Sequence, residues 1–77
     1  MEKDLVEYIA KSLVDEPAEV EVRVVESERF TVLELRVAPG DMGKVIGKHG
    51  RIAKAIRTVL QATATRLGKH SVLEILD

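Results

Sequence analysis

Seventy-seven residues, 45% of them hydrophobic, with no cysteine and a formal net charge of −1, describe one small domain and exclude a disulfide framework, thiolate chemistry and zinc fingers. A chain this size buries only roughly 60–65% of its unfolded surface, so modest stability is expected unless an oligomer adds to it. No apolar run approaches the ~20 residues of a membrane span, and Met1-Glu2-Lys3-Asp4 lacks the basic-then-apolar layout of a secretion signal, so the expectation is a cytoplasmic protein.

Leu5, Val6, Ile9, Ala10, Leu13 and Val14 recur at helical spacing and predict a helix from Lys3 to Val14, ended by Glu16-Pro17. Val20, Val22 and Val24 then alternate with Glu19, Glu21 and Arg23, the pattern of a strand with one wet face. Ser27-Glu28-Arg29 is a tight connection, so a second strand, Phe30 to Val37, returns antiparallel with Leu33, Leu35 and Val37 inward and Glu34 and Arg36 outward. Pro39-Gly40-Asp41 makes a turn and offers Asp41 as the N-cap of a short helix, Met42 to Ile46. A longer helix runs from Arg51 to Leu67, with Gly68 as its stop. At roughly 100° per residue, Ile52, Ile56, Val59, Leu60, Thr63 and Leu67 fall on its inner side and Arg51, Lys54, Thr58, Gln61 and Thr65 on its outer side. Ser71 to Leu76 closes the chain as a strand too apolar to leave exposed. The order α-β-β-α-α-β, with a right-handed crossover bringing the last strand back parallel, predicts an α+β fold. It forms a single domain over residues 1–77, a mixed three-stranded sheet with three helices on one face.

The most informative stretch is Val45-Ile46-Gly47-Lys48-His49-Gly50-Arg51-Ile52. Two glycines bracket two polar residues between helices, so the turn can adopt φ > 0 and present backbone N–H groups without a shielding Cβ. A helix N-terminus follows, with Lys48 and His49 at the tip and Arg51 and Lys54 beyond, which is what a phosphate requires. The charge is polarised accordingly. Residues 1–37 hold five cations and ten acids, residues 38–70 seven cations and the single acid Asp41, and residues 71–77 two acids. Lys44, Lys48, Arg51 and Lys54 crowd the loop, whereas Arg57, Arg66 and Lys69 read as solvated positions and His70 as a plain surface residue. Tyr8 and Phe30 are the only aromatic residues and neither is close to the loop in sequence, which argues against binding modes built on aromatic stacking.

The run Gly43-Lys44-Val45-Ile46-Gly47-Lys48-His49-Gly50-Arg51-Ile52, followed by Ala55-Ile56-Arg57, resembles the small bacterial KH-domain proteins of the KhpA (YlqC) family, and the likeness covers nearly the whole length. The resemblance implies a type II KH fold and a stand-alone module for single-stranded RNA, an RNA chaperone or regulator that forms a homodimer or pairs with a larger KH-containing protein of the Jag (KhpB) type. A KH loop of the form G-x-x-G clamps about four nucleotides, while their bases lie in an aliphatic groove. Carried onto this chain, the RNA-binding residues are Lys44, Val45, Ile46, Gly47, Lys48, His49, Gly50, Arg51, Ile52 and Lys54, with Val37 a further groove candidate.

Enzymatic readings find little to stand on. Neither Gly-x-Gly-x-x-Gly nor a P-loop is present, and two histidines do not make a metal site. The expectation is therefore no catalytic residue, cofactor, metal, small-molecule substrate or membrane. Two other readings compete. One is a protein-interaction module with a vestigial loop, for which Ala55 and Ala62 would let another helix approach. The other is a helix-turn-helix DNA reader, disfavoured because a recognition helix should carry base-reading Arg, Asn or Gln near its start and two glycines would make an odd turn.

Overall fold

The computed structural model describes residues 2–76. Helix α1 (Glu2–Leu13) buries Val6 and Ala10, and a 3₁₀ turn at Pro17–Glu19 leads into the hairpin of β1 (Glu21–Glu26) and β2 (Phe30–Arg36). The hairpin turn closes where Ser27 N–H donates to the Phe30 carbonyl at 2.8 Å and Phe30 N–H donates to Ser27 Oγ at 3.2 Å. Helix α2 (Met42–Ile46), the glycine loop, helix α3 (Arg51–Arg66) and β3 (His70–Leu76) complete the α-β-β-α-α-β order. Strands run β1-β2-β3, with β1 antiparallel to β2 and β3 parallel to it, Leu33 pairing with both Val24 and Leu73. Among the described residues both outer strands therefore have a free edge.

Side-chain alternation directs Leu33, Leu35, Leu73 and Val22 toward the helices, where they meet Val6, Val45, Ile56 and Leu60 in one core. Val24, expected inward, is 38% exposed, because it lies toward the turn end of the edge strand β1, which is buried only at Val22. The inner face of α3 also differs from expectation. Ala53, Ile56, Leu60 and Ala64 are buried, whereas Val59 is 46% and Leu67 65% exposed. The observed stripe is rotated by about 55° from the one centred on the larger aliphatics. Alanine carries little weight in a hydrophobicity pattern, yet a small side chain is what lets the helix axis come close to a sheet. Leu67 lies one residue beyond the helix, whose end is closed by Lys69 N–H donating to the Ala64 carbonyl and Gly68 N–H to the Thr65 carbonyl, a Schellman arrangement.

Asp41 stands at the N-cap position of α2 but makes no cap bond. Its buried carboxylate reaches across the fold instead, accepting the backbone N–H groups of Asp15 at 3.2 Å and Glu16 at 3.1 Å. The expected local cap is thus a long-range clasp between the end of α1 and the start of α2. Sequence spacing carries no signal for such a contact.

Candidate nucleic-acid interface

The glycine loop is shaped by three left-handed residues. Gly47 has φ 79° and ψ 168°, His49 φ 59° and ψ 24°, and Gly50 φ 74° and ψ 14°. The Gly47 conformation is open in practice only to glycine, and a Cβ there would stand 2.6 Å from Ile52 Cγ1 and 2.9 Å from the Ile52 backbone nitrogen. Gly47 thus lets the loop press onto the first turn of α3. A Cβ on Gly50 would meet nothing within 4 Å. Histidine is among the side chains that tolerate the left-handed region, which fits its place at the tip. The turn uses the N–H groups of Gly47, Gly50 and Arg51 internally, donating to the carbonyls of Gly43, Gly47 and Lys48.

The ten residues expected to contact RNA separate by burial. Lys48, His49, Arg51 and Lys54 are exposed, and Ile46, Gly47, Gly50 and Ile52 are half-buried around them. Val45 has no exposed surface and belongs to the core, as does Val37 at 4% exposure. Lys44 is committed elsewhere, its Nζ lying 3.3 Å from both Asp41 Oδ1 and Asp15 Oδ2. Burial by itself would push the Asp41 carboxyl up, but the two backbone donors and the Lys44 ammonium outweigh it and hold Asp41 below the usual carboxylate range. Asp41, and then Asp15, in turn raise the Lys44 ammonium above its ordinary value. Lys44 therefore fastens the platform on which the loop stands.

A shallow trough of about 360 Å³ begins one helical turn after the start of α3, with Lys54, Arg57, Thr58 and Gln61 of α3 on one wall and Ser71, Val72 and Leu73 of β3 on the other. Its second wall is thus β3 and not Val37. Because β3 is an outer strand, the backbone groups on its free side remain available, and Arg57 Nη2 already donates to the Leu73 carbonyl there at 3.2 Å. Exposed strand-edge donors and acceptors beside a row of cations suit a ligand with a charged backbone and hydrogen-bonding bases. Arg57, expected as a plain solvated position, lines the trough instead, as does Gln61 of the outer helix face, and Val72, expected to be covered, is exposed there. Arg57 lies three residues after Lys54, but only the docking of α3 beside β3 reveals that this flank lines a trough.

Residues 3–75 match the family described as KhpA/KhpB, KH domain. The chain belongs to that family. Among its relatives is the RNA-binding protein KhpA of Clostridium acetobutylicum, 62% identical over 74 residues that cover 96% of this chain and 99% of the relative. The RNA-binding protein KhpA of Aquifex aeolicus is 55% identical over 75 residues, covering 97% and 95%. Among solved structures, Aquifex aeolicus Era bound to GDP·AlF4− superposes with a TM-score of 0.64 at 24% identity, covering 96% of this chain and 29% of Era. Era in complex with MgGDPNP and a segment of 16S ribosomal RNA gives 0.62 at 24% identity, covering 96% and 28%. At that identity the likeness to Era concerns the fold. Membership of a KH-domain family agrees with a non-enzymatic chain. Among the described residues no group of three or more His, Cys, Asp or Glu is placed to hold a metal, and no helix is long and apolar enough to cross a membrane.

Proposed function

We propose that this protein binds single-stranded RNA without catalysis, as an RNA chaperone or regulator in the cytoplasm. The observation that carries the reading is the continuity of loop and trough. Lys48, Arg51, Lys54 and Arg57 form one cationic line from the glycine turn into a cleft whose opposite wall is a free strand edge. Lys48 and His49 N–H groups and the start of α3 face the first phosphates, and the later bases meet Val72 and the β3 backbone. Relatives named as RNA-binding proteins over their full length support the same ligand. The protein pairs with a second copy or a larger KH-containing protein, and the exposed Ala55, Val59 and Ala62 of α3, with Leu67 just beyond its end, support a surface for such pairing.

The test is competition between unlabelled single-stranded RNA and duplex DNA for the purified protein, followed by fluorescence anisotropy of a labelled RNA. Single-stranded RNA displaces the probe and duplex DNA does not. With two to four phosphates engaged, the slope of log K against log[salt] is about −1.5 to −3. Duplex DNA competing as well as RNA, or a flat salt response, refutes the proposal.

A further inference from the structure

The trough does not end at β3. At its far end Gln61 Nε2 lies 3.5 Å from His70 Nδ1, and the His70 ring is stacked on Phe30, centroids 5.7 Å apart and planes inclined by 30°. His70 and Phe30 are register partners at the first positions of β3 and β2 and lie on the sheet face that carries no helix. The chain has a single phenylalanine, and it is 48% exposed while the core is built from Val, Leu, Ile and Ala. From Arg51 to Gln61 is ten residues of helix, about 15 Å. The row that starts at the loop therefore leads over the sheet edge onto an exposed aromatic pair.

We infer that Phe30 and His70, with Gln61 beside them, form an additional base-stacking subsite for a nucleotide beyond those gripped by the loop and trough. The inference rests on the RNA-binding reading above and extends it. An exposed ring offers a π face to any base, and stacking of that kind tolerates sequence. The Gln61 amide supplies a donor and an acceptor at the entrance, where a base leaving the trough changes from edge contacts with β3 to stacking on Phe30. The aromatic pair is remote from the loop in sequence and reaches it only through the length of α3.

The test compares random-sequence single-stranded RNAs of four and ten nucleotides, each titrated against wild type and Phe30→Ala. Comparison is made at fixed length, because a longer RNA also offers more registers. Phe30→Ala weakens binding of the ten-nucleotide RNA at least fivefold, the lower end of a lost base–aromatic stack, and leaves the four-nucleotide RNA within twofold. Phe30→Leu, which keeps an apolar strand residue, shows the same loss and replaces Phe30→Ala if the latter does not fold. The chain has no tryptophan, so Phe30→Trp reports directly: its fluorescence is quenched by the ten-nucleotide RNA and not by the four-nucleotide one. Equal effects at both lengths, no effect at either, or an unchanged tryptophan signal overturns the subsite. Gly50→Asp separates the two levels. If it leaves both RNAs bound as in wild type, the loop reading itself fails, and the subsite argued from it fails too.

Discussion

The two loop glycines differ in kind, and substituting each in turn measures how. Gly47 occupies a conformation that costs a side-chain-bearing residue about 1–3 kcal/mol, and its Cβ would overlap the Ile52 backbone, which overpacking data put at a further 1–3 kcal/mol or so. Gly47→Ala therefore loses about 2–6 kcal/mol, against a total of roughly 4–12 kcal/mol for a domain of this length. Gly50 is left-handed in open space, so Gly50→Ala loses only about 1–2 kcal/mol. At about 4–8 °C per kcal/mol for a small domain, thermal unfolding followed by circular dichroism resolves the difference. Gly50→Asp is then the clean binding probe. It brings a carboxylate to the loop in a conformation aspartate tolerates, and RNA affinity falls at least tenfold, about 1.4 kcal/mol, while the fold persists. Two results would refute the reasoning. Gly47→Ala no more destabilising than Gly50→Ala would mean that the loop does not press on Ile52, and a folded Gly50→Asp variant that binds RNA undiminished would remove the loop from the interface.

Four further outcomes follow from the geometry. Asp41→Asn lowers the melting temperature at neutral pH. Because the Asp41 carboxyl is held below its ordinary value, its contribution is present above that value and fades as the pH falls through the folded-state one, so melting curves of variant and wild type converge in strong acid. Thr31 is buried with no partner for its hydroxyl among the described residues, so Thr31→Val stabilises by about 1 kcal/mol, read as a higher urea midpoint at unchanged m-value. Lys48→Ala reduces the salt slope of RNA binding by about 0.7, whereas Lys44→Ala, whose ammonium is held by two carboxylates, lowers stability and leaves the slope unchanged. Val59→Asp shifts light-scattering mass at high micromolar concentration toward the monomer; a wild type that stays monomeric there and binds no second KH-containing protein removes the pairing surface.

Local signals carried most of the fold. Alternating valines in β1, the Ser27–Arg29 connection and the glycine pair with helices on both sides each specify their element from neighbours a few residues away, and all fall where the structure has them. What was not legible depended on contacts between distant segments. Lys44 and Lys48 look equivalent in a basic run, yet the clasp from Asp15 and Asp41 takes one of them out of circulation. Val45 sits inside the motif but its position on a short helix turns it to the core. Arg57, Gln61 and His70 acquire meaning only once β3 is laid beside α3. The buried face of α3 is not legible in its pattern because alanines at the closest approach weigh less than the valine and leucine left outside.

The wall of the trough is set by a turn at the other end of the molecule. The Schellman closure after α3 and the His70 N–H bond to the Arg29 carbonyl fix which residue of β3 begins to pair. Side chains and backbone groups of a strand alternate with a period of two, so one extra residue between Gly68 and His70 would exchange the roles of Val72 and Leu73 and of every carbonyl along the free edge. The glycine loop would be untouched, while the pattern of side chains and backbone groups along the trough wall would be inverted. On the binding mode proposed above, affinity for the RNA backbone and discrimination among bases would thus be governed by separate parts of the chain, one at the start of α3 and the other at its end.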